Sequence, residues 1–142
     1  MEVKQCDFAS DVFPYDDESF DVVYHKSFIE HFYDPEFIFI EIFRVLKVGG
    51  KVITLHPNIR YLYMDYWDYF DHHVPLTDKS IAEGLEVVGF KVEISIDRFL
   101  PFTTKSKIPK HPVLVKLYLM FPFIWRFMGK QTLVIAEKTA FH

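Results

Sequence analysis

A chain of 142 residues, 50% hydrophobic and 25% charged, has enough apolar material for one packed core and too much for a disordered tail. The single cysteine, Cys6, excludes an internal disulfide framework and any paired-cysteine zinc site, and the opening MEVKQCDFAS has no charged stretch leading into an apolar run, so it does not read as a secretory signal; a cytoplasmic setting is expected. The net charge of −4 hides a split: residues 1–90 hold 7 basic and 17 acidic side chains, or −10, while 91–142 hold 9 and 3, or +6.

In chain order, Met1 to Asp7 is read as a short strand, with Val3 its apolar residue. FDVVY, Phe20 to Tyr24, is a compact β-branched run after the acidic turn DDES, the pattern of a buried parallel strand. A helix is expected from Asp34-Pro35, because proline suits the first helical turn and Phe37, Ile38, Ile40, Glu41, Ile42, Val45 and Leu46 recur with a wide apolar face; Gly49-Gly50 is read as its stop. KVITL, Lys51 to Leu55, reads as a second buried strand closed by Pro57-Asn58. Thr77 is placed as the N-cap of a helix carrying Ile81, Leu85 and Val88 and ended by Gly89. Phe90 to Ile96 alternates as a strand, Pro101 to Pro112 is a polar loop, Val113 to Met128 is an apolar segment broken at Pro122, and Thr132 to Glu137 is a last strand. Strands alternating with helices predict a single α/β domain over 1–142, with ligands beyond the carboxyl ends of the strands. Asp7-Phe8, Tyr24 to Ser27 and His56 to Asn58 are the places where a site is expected.

Several motifs stand in a telling order. An acidic residue, Asp7, is followed by Phe13-Pro14, an acidic turn, Ser19-Phe20-Asp21 and Val22-Val23. Then come Ile29-Glu30-His31, Asp34-Pro35, Arg44-Val45-Leu46-Lys47 and Gly49-Gly50. In this order and spacing the chain resembles the class I S-adenosylmethionine-dependent methyltransferases of the type 11 kind. The similarity continues less strictly through Asp71-His72-His73, Pro75-Leu76-Thr77, Gly89-Phe90, Leu100-Pro101 and Lys138. The resemblance implies a Rossmann-like sheet with flanking helices and S-adenosylmethionine as cofactor. It also implies that Asp7 accepts from the adenine amino group, that the backbone of Phe8 borders the same ring, and that Tyr24, His25 and Lys26 face the methionine part of the cofactor. A carboxylate suits the first task because it is acceptor-only when ionised. The family's glycine-rich cofactor loop and its ribose-binding acid would lie upstream of Met1. The chain is therefore read as the C-terminal portion of a longer methyltransferase whose first strands are missing, with self-association or a complementing N-terminal segment as the other way to fill the gap.

Methyl transfer from a sulfonium depends first on positioning and needs no metal. If the acceptor must lose a proton, His31 is the candidate base, ahead of His25, since an imidazole titrates near neutral pH; the alternative is that His31 packs or caps. Asp71, His72 and His73 are not read as a metal site, because adjacent residues of an extended chain point apart. The series Tyr61, Tyr63, Tyr66, Trp67, Tyr69 and Phe70 either packs or forms an aromatic wall for a flat or apolar small-molecule acceptor. Residues 99–131 are read as an insertion that either closes over the substrate as a lid or faces a membrane through the contact segment 113–128, whose Lys116 and Arg126 suit anionic headgroups. Nucleic-acid binding has no motif to support it. The competing reading is a non-catalytic remnant of the same fold or an interaction module, with membrane association as one form of it.

Overall fold

The structure is a computed structural model that describes residues 4–8, 12–101 and 111–140. Its elements are β1 (Phe20–Lys26), α1 (Pro35–Val45), β2 (Leu46–Pro57), α2 (Ile59–Leu62), α3 (Asp78–Val88), β3 (Phe90–Leu100), α4 (Pro112–Met120), α5 (Pro122–Met128) and β4 (Gln131–Lys138), with 3₁₀ turns at Ile29–His31 and Tyr66–Asp68. The strands form one sheet in the order β1-β2-β4-β3. β1 runs parallel to β2, and β4 is antiparallel to both of its neighbours.

Local chemistry explains the helix limits. Asp34 caps α1 by accepting from the Phe37 amide at 3.1 Å, and Pro35 takes the first turn, where its missing N–H costs nothing. Thr77 and Ser80 form a reciprocal capping box on α3, which Gly89 ends at φ 115°. These helices pack together over one sheet face. Ile38, Ile42, Ile81 and Leu85 from the helices meet Val52, Val134 and Ala136 from the strands, all nearly or wholly excluded from water. Full burial of each large aliphatic side chain contributes roughly 1.5–3 kcal/mol. The opposite face is less protected: Tyr24, Ile53, Ile135 and Ile94 form one cross-strand row, with Tyr24 and Ile94 exposed.

Two sequence expectations are corrected. Gly49-Gly50 does not stop α1, which ends at Val45; Leu46 is already extended and begins β2. The glycines instead form an irregularity inside β2, where the register against β1 shifts. Gly49 has φ 79°, and a Cβ on Gly50 would come within 2.8 Å of the Lys47 carbonyl oxygen. The expected strand over Met1 to Asp7 is also absent from its described part, Lys4 to Asp7, which joins no ladder. Extended chain becomes a strand only when a neighbour pairs its backbone. β1 is therefore an edge of the sheet, with Val22 and Tyr24 more than half exposed. The 101–112 loop lies mostly outside the described residues.

Candidate active site

The carboxyl ends of β1 and β2 deliver His25, Lys26, His56 and Asn58 to the same rim. Ser27 leaves β1 with φ 46°, a left-handed turn that swings the chain into the Ile29–His31 turn and brings Glu30 back toward β2. Asn58 is pinned as the N-cap of α2: its side chain accepts from the Arg60 amide and donates to Asp78 at 3.0 Å and to the Asp97 carbonyl at 3.2 Å.

At the centre is a buried carboxylate among imidazoles. Glu30 is wholly buried, its Oε2 lies 3.2 Å from Nδ1 of His56, and its Oε1 lies 4.0 Å from Nε2 of His31. Burial opposes its ionisation, but the close His56 ring outweighs that and holds the carboxyl below the usual range. The Glu30 carbonyl accepts from the amides of His73 and Val74, tying the 72–74 segment over the rim. His72 packs edge-on to His31 at 5.2 Å between ring centres and stacks on Tyr69; burial lowers its pKa. Tyr66 donates to the Val74 carbonyl at 2.6 Å, and burial next to Glu30 pushes its phenol well above the ordinary range.

His31 itself is part-exposed. Its Nδ1 lies 3.0 Å from the Asp71 carbonyl and 3.2 Å from an Asp71 carboxylate oxygen, which makes Nδ1 the protonated nitrogen and leaves the Nε2 lone pair for other chemistry. Glu30, His31 and His72 each offer one donor atom within 4.8 Å of the others, a set able to hold a divalent cation. The two neighbouring histidines do diverge, His73 stacking on Tyr33 at 4.0 Å. His56 lies in the His56 to Asn58 segment where a site is expected, whereas Glu30 stands in the sequence reading only within the Ile29-Glu30-His31 motif, with no role of its own. Their signal was present in the Glu30-His31 pair and in the position of His56 at a strand's carboxyl end.

Beside this cluster an apolar groove of about 450 Å³ follows the open edge of β1. Its lining includes Phe8, Phe13, Tyr15, Tyr24, His25 and Lys26, so four of the five residues expected at the cofactor meet in one place. Asp7 is exposed next to Phe8 and outside that lining, while Phe8 is held edge-on by Phe13 and Phe28. The His25 side chain accepts or donates at Nε2 with Thr54 Oγ1 at 3.0 Å, and its Nδ1 is shut from solvent with no hydrogen-bond partner. Burial, with the neighbouring His56, lowers its pKa to about 4. The aromatic series after β2 divides: Tyr66 is buried, while Tyr63, Trp67 and Phe70 face outward.

The four-stranded α/β sheet with helices packed on its face is Rossmann-like, and comparison with known proteins supports a methyltransferase-type fold. Residues 1–54 match the family described as Methyltransferase domain. A demethylmenaquinone methyltransferase of Roseiflexus castenholzii is 35% identical over 80 residues, which cover 54% of this chain and 34% of that protein. An S-adenosylmethionine-dependent methyltransferase structure from Methanosarcina mazei superposes with a TM-score of 0.66 at 17% identity, covering 97% of this chain and 67% of its own. The Haemonchus contortus phosphoethanolamine N-methyltransferase 2, solved with phosphomonomethylethanolamine and S-adenosylhomocysteine, gives 0.59 at 19% identity, covering 95% and 37%. Over residues 1–54 the chain is similar to the methyltransferase-domain family, and its fold is that of S-adenosylmethionine-dependent methyltransferases. Its matched part is about a third of the length of the curated relative.

Proposed function

We propose that this chain supplies the acceptor side, and part of the cofactor side, of an S-adenosylmethionine-dependent methyltransferase acting on an apolar or aromatic small molecule, in the context of a longer chain or a complementing segment. The observation that carries the reading is the convergence of Phe8, Tyr24, His25 and Lys26 on one groove along the open edge of β1. Its volume falls within the range of about 300–1,000 Å³ typical of small-molecule sites. The cofactor, when bound, supplies a methyl group on a positively charged sulfur. The residues here bind and orient in this reading: Asp7, exposed beside Phe8 and outside the groove lining, accepts from the adenine amino group, and the aromatic lining excludes water from the reacting centre. An apolar acceptor agrees with the outward-facing Tyr63, Trp67 and Phe70 near the rim and with the quinone-type substrate in the name of the Roseiflexus relative.

Calorimetric titration of residues 1–142 with S-adenosylhomocysteine tests the reading without a known acceptor. Binding is expected, and Asp7→Ala is expected to weaken it roughly tenfold, the value of one charge-assisted hydrogen bond. A folded chain that takes up no ligand would show that the groove alone is not the cofactor site.

His31 is proposed as the base for acceptors that must lose a proton. Asp71 holds its Nδ1–H, so Nε2 is the accepting atom. With an acceptor that turns over, His31→Asn is expected to lower kcat on the order of a hundredfold with KM little changed. An unchanged kcat across the neutral pH range would return His31 to a packing role.

A further inference from the structure

The insertion between β3 and β4 has no place in the chemistry above, and its surface is unlike the rest of the molecule. α4 and α5 contain no buried residue. Val113, Leu114, Val115, Leu117, Leu119, Met120, Phe121, Phe123, Phe127 and Met128 are all exposed, an apolar surface within a span of sixteen residues. It is tied to β3 by Tyr118, which donates to the Phe99 carbonyl at 2.7 Å, by Arg98, which donates to the Arg126 carbonyl, and by Trp125, which packs edge-on against Phe99 and donates to the Tyr118 carbonyl at 2.9 Å. Those anchors fix the helix pair to β3 and leave its apolar side chains outward.

We propose that α4 and α5 form a docking surface for an anionic lipid bilayer. Neither helix spans a membrane: at 1.5 Å per residue they are roughly 13 and 10 Å long, against a hydrocarbon thickness of about 30 Å. The break at Phe121-Pro122 lets the two short helices lie along an interface. Charge selects the partner. From Arg98 to Lys130 the sequence holds seven lysines and arginines and no acidic residue, although the preceding ninety residues are strongly acidic. Lys116 lies within α4 and Arg126 within α5, both exposed among these apolar side chains, a combination that suits acyl chains beneath phosphate headgroups. A second copy of the chain meeting this face would set like charges against each other, which disfavours a homodimer through it. The insertion leaves β3 and re-enters at Gln131, paired with Pro57 next to the site's Asn58, so docking would hold the rim close to the lipid. The inference rests on the helix pair and the cationic sequence around it, and stands whether or not the groove binds cofactor.

Flotation with vesicles of phosphatidylcholine containing about 30% phosphatidylglycerol, compared with pure phosphatidylcholine, is the test. The chain is expected to rise with the anionic vesicles at low salt and to be released as salt screens the lysines and arginines. The double substitution Phe123→Ser, Phe127→Ser, at side chains that support no core, is expected to reduce partition roughly tenfold or more while circular dichroism stays unchanged. Should that variant misfold, Lys116→Glu with Arg126→Glu gives the same reading through charge. A folded chain that remains at the bottom of the gradient at low salt overturns the proposal. So does undiminished flotation of both variants, or sedimentation showing that these residues instead bury one copy against another with no vesicle binding.

Discussion

Replacing Arg44 by leucine is expected to cost about 3 kcal/mol of folding stability, the low end of the range seen when one partner of a buried ion pair is removed, because Arg44 itself is part-exposed. Arg44 meets Glu41 through two hydrogen bonds, Nε to Oε1 at 3.0 Å and Nη2 to Oε2 at 2.8 Å, and reaches Asp17 at 2.6 Å. It also donates to the carbonyls of Phe13 and Tyr15 at 3.0 and 2.9 Å. Glu41 is nearly buried and accepts from the Phe13 amide, and the Arg44 guanidinium holds its carboxyl below the usual range against the opposing effect of burial. Leucine at position 44 would strand that carboxylate. Urea denaturation reads the result: a large fall in midpoint with unchanged slope is expected, with partial recovery when Glu41→Gln is added. A loss below about 1 kcal/mol would place the network with ordinary surface pairs. The effect reaches function because Phe13 and Tyr15 line the groove along β1, so the same guanidinium that ties this loop to α1 also fixes part of the proposed pocket.

Arg44 illustrates what could be read from the sequence and what could not. Its place in the Arg44-Val45-Leu46-Lys47 motif was legible as part of a family pattern, yet the loop it holds lies some thirty residues earlier, and no local spacing announces that contact. Helix starts were legible because caps act within three or four residues: Asp34, Pro35 and Thr77 each do what their type dictates. The Gly49-Gly50 pair was misleading for the same reason. Glycine marks a backbone that L side chains resist, and both a helix stop and a strand irregularity need one; the pairing of Leu46 with Phe20 decides between them, and that is a tertiary fact. The site was half legible. Strand ends pointed to His25 and His56, but the buried Glu30 that meets His56 depends on the left-handed turn at Ser27.

Acid is expected to destabilise the fold well before the carboxylates protonate. A histidine in the unfolded chain titrates near 6.5, whereas burial first, and then His56, lowers folded His25 to about 4. Between those values the unfolded state binds the extra proton. Stability is therefore fully present above about pH 6.5 and declines as pH falls toward 4, by about 3 kcal/mol from this residue. His72, lowered mainly by its burial, contributes in the same direction. Glu30 acts later, because its folded pKa lies below the ordinary 4.5 and its contribution is lost only when pH falls through that region. The check is a set of urea midpoints at pH 7.5, 6 and 5 for the native chain and for His25→Gln, which keeps a hydrogen-bonding group for Thr54 but cannot titrate. The native chain should lose stability steadily across that interval and the variant should lose less. Equal slopes would mean that His25 reaches solvent when protonated, and the groove beside it would then be wet where methyl transfer to an apolar acceptor requires it to be dry.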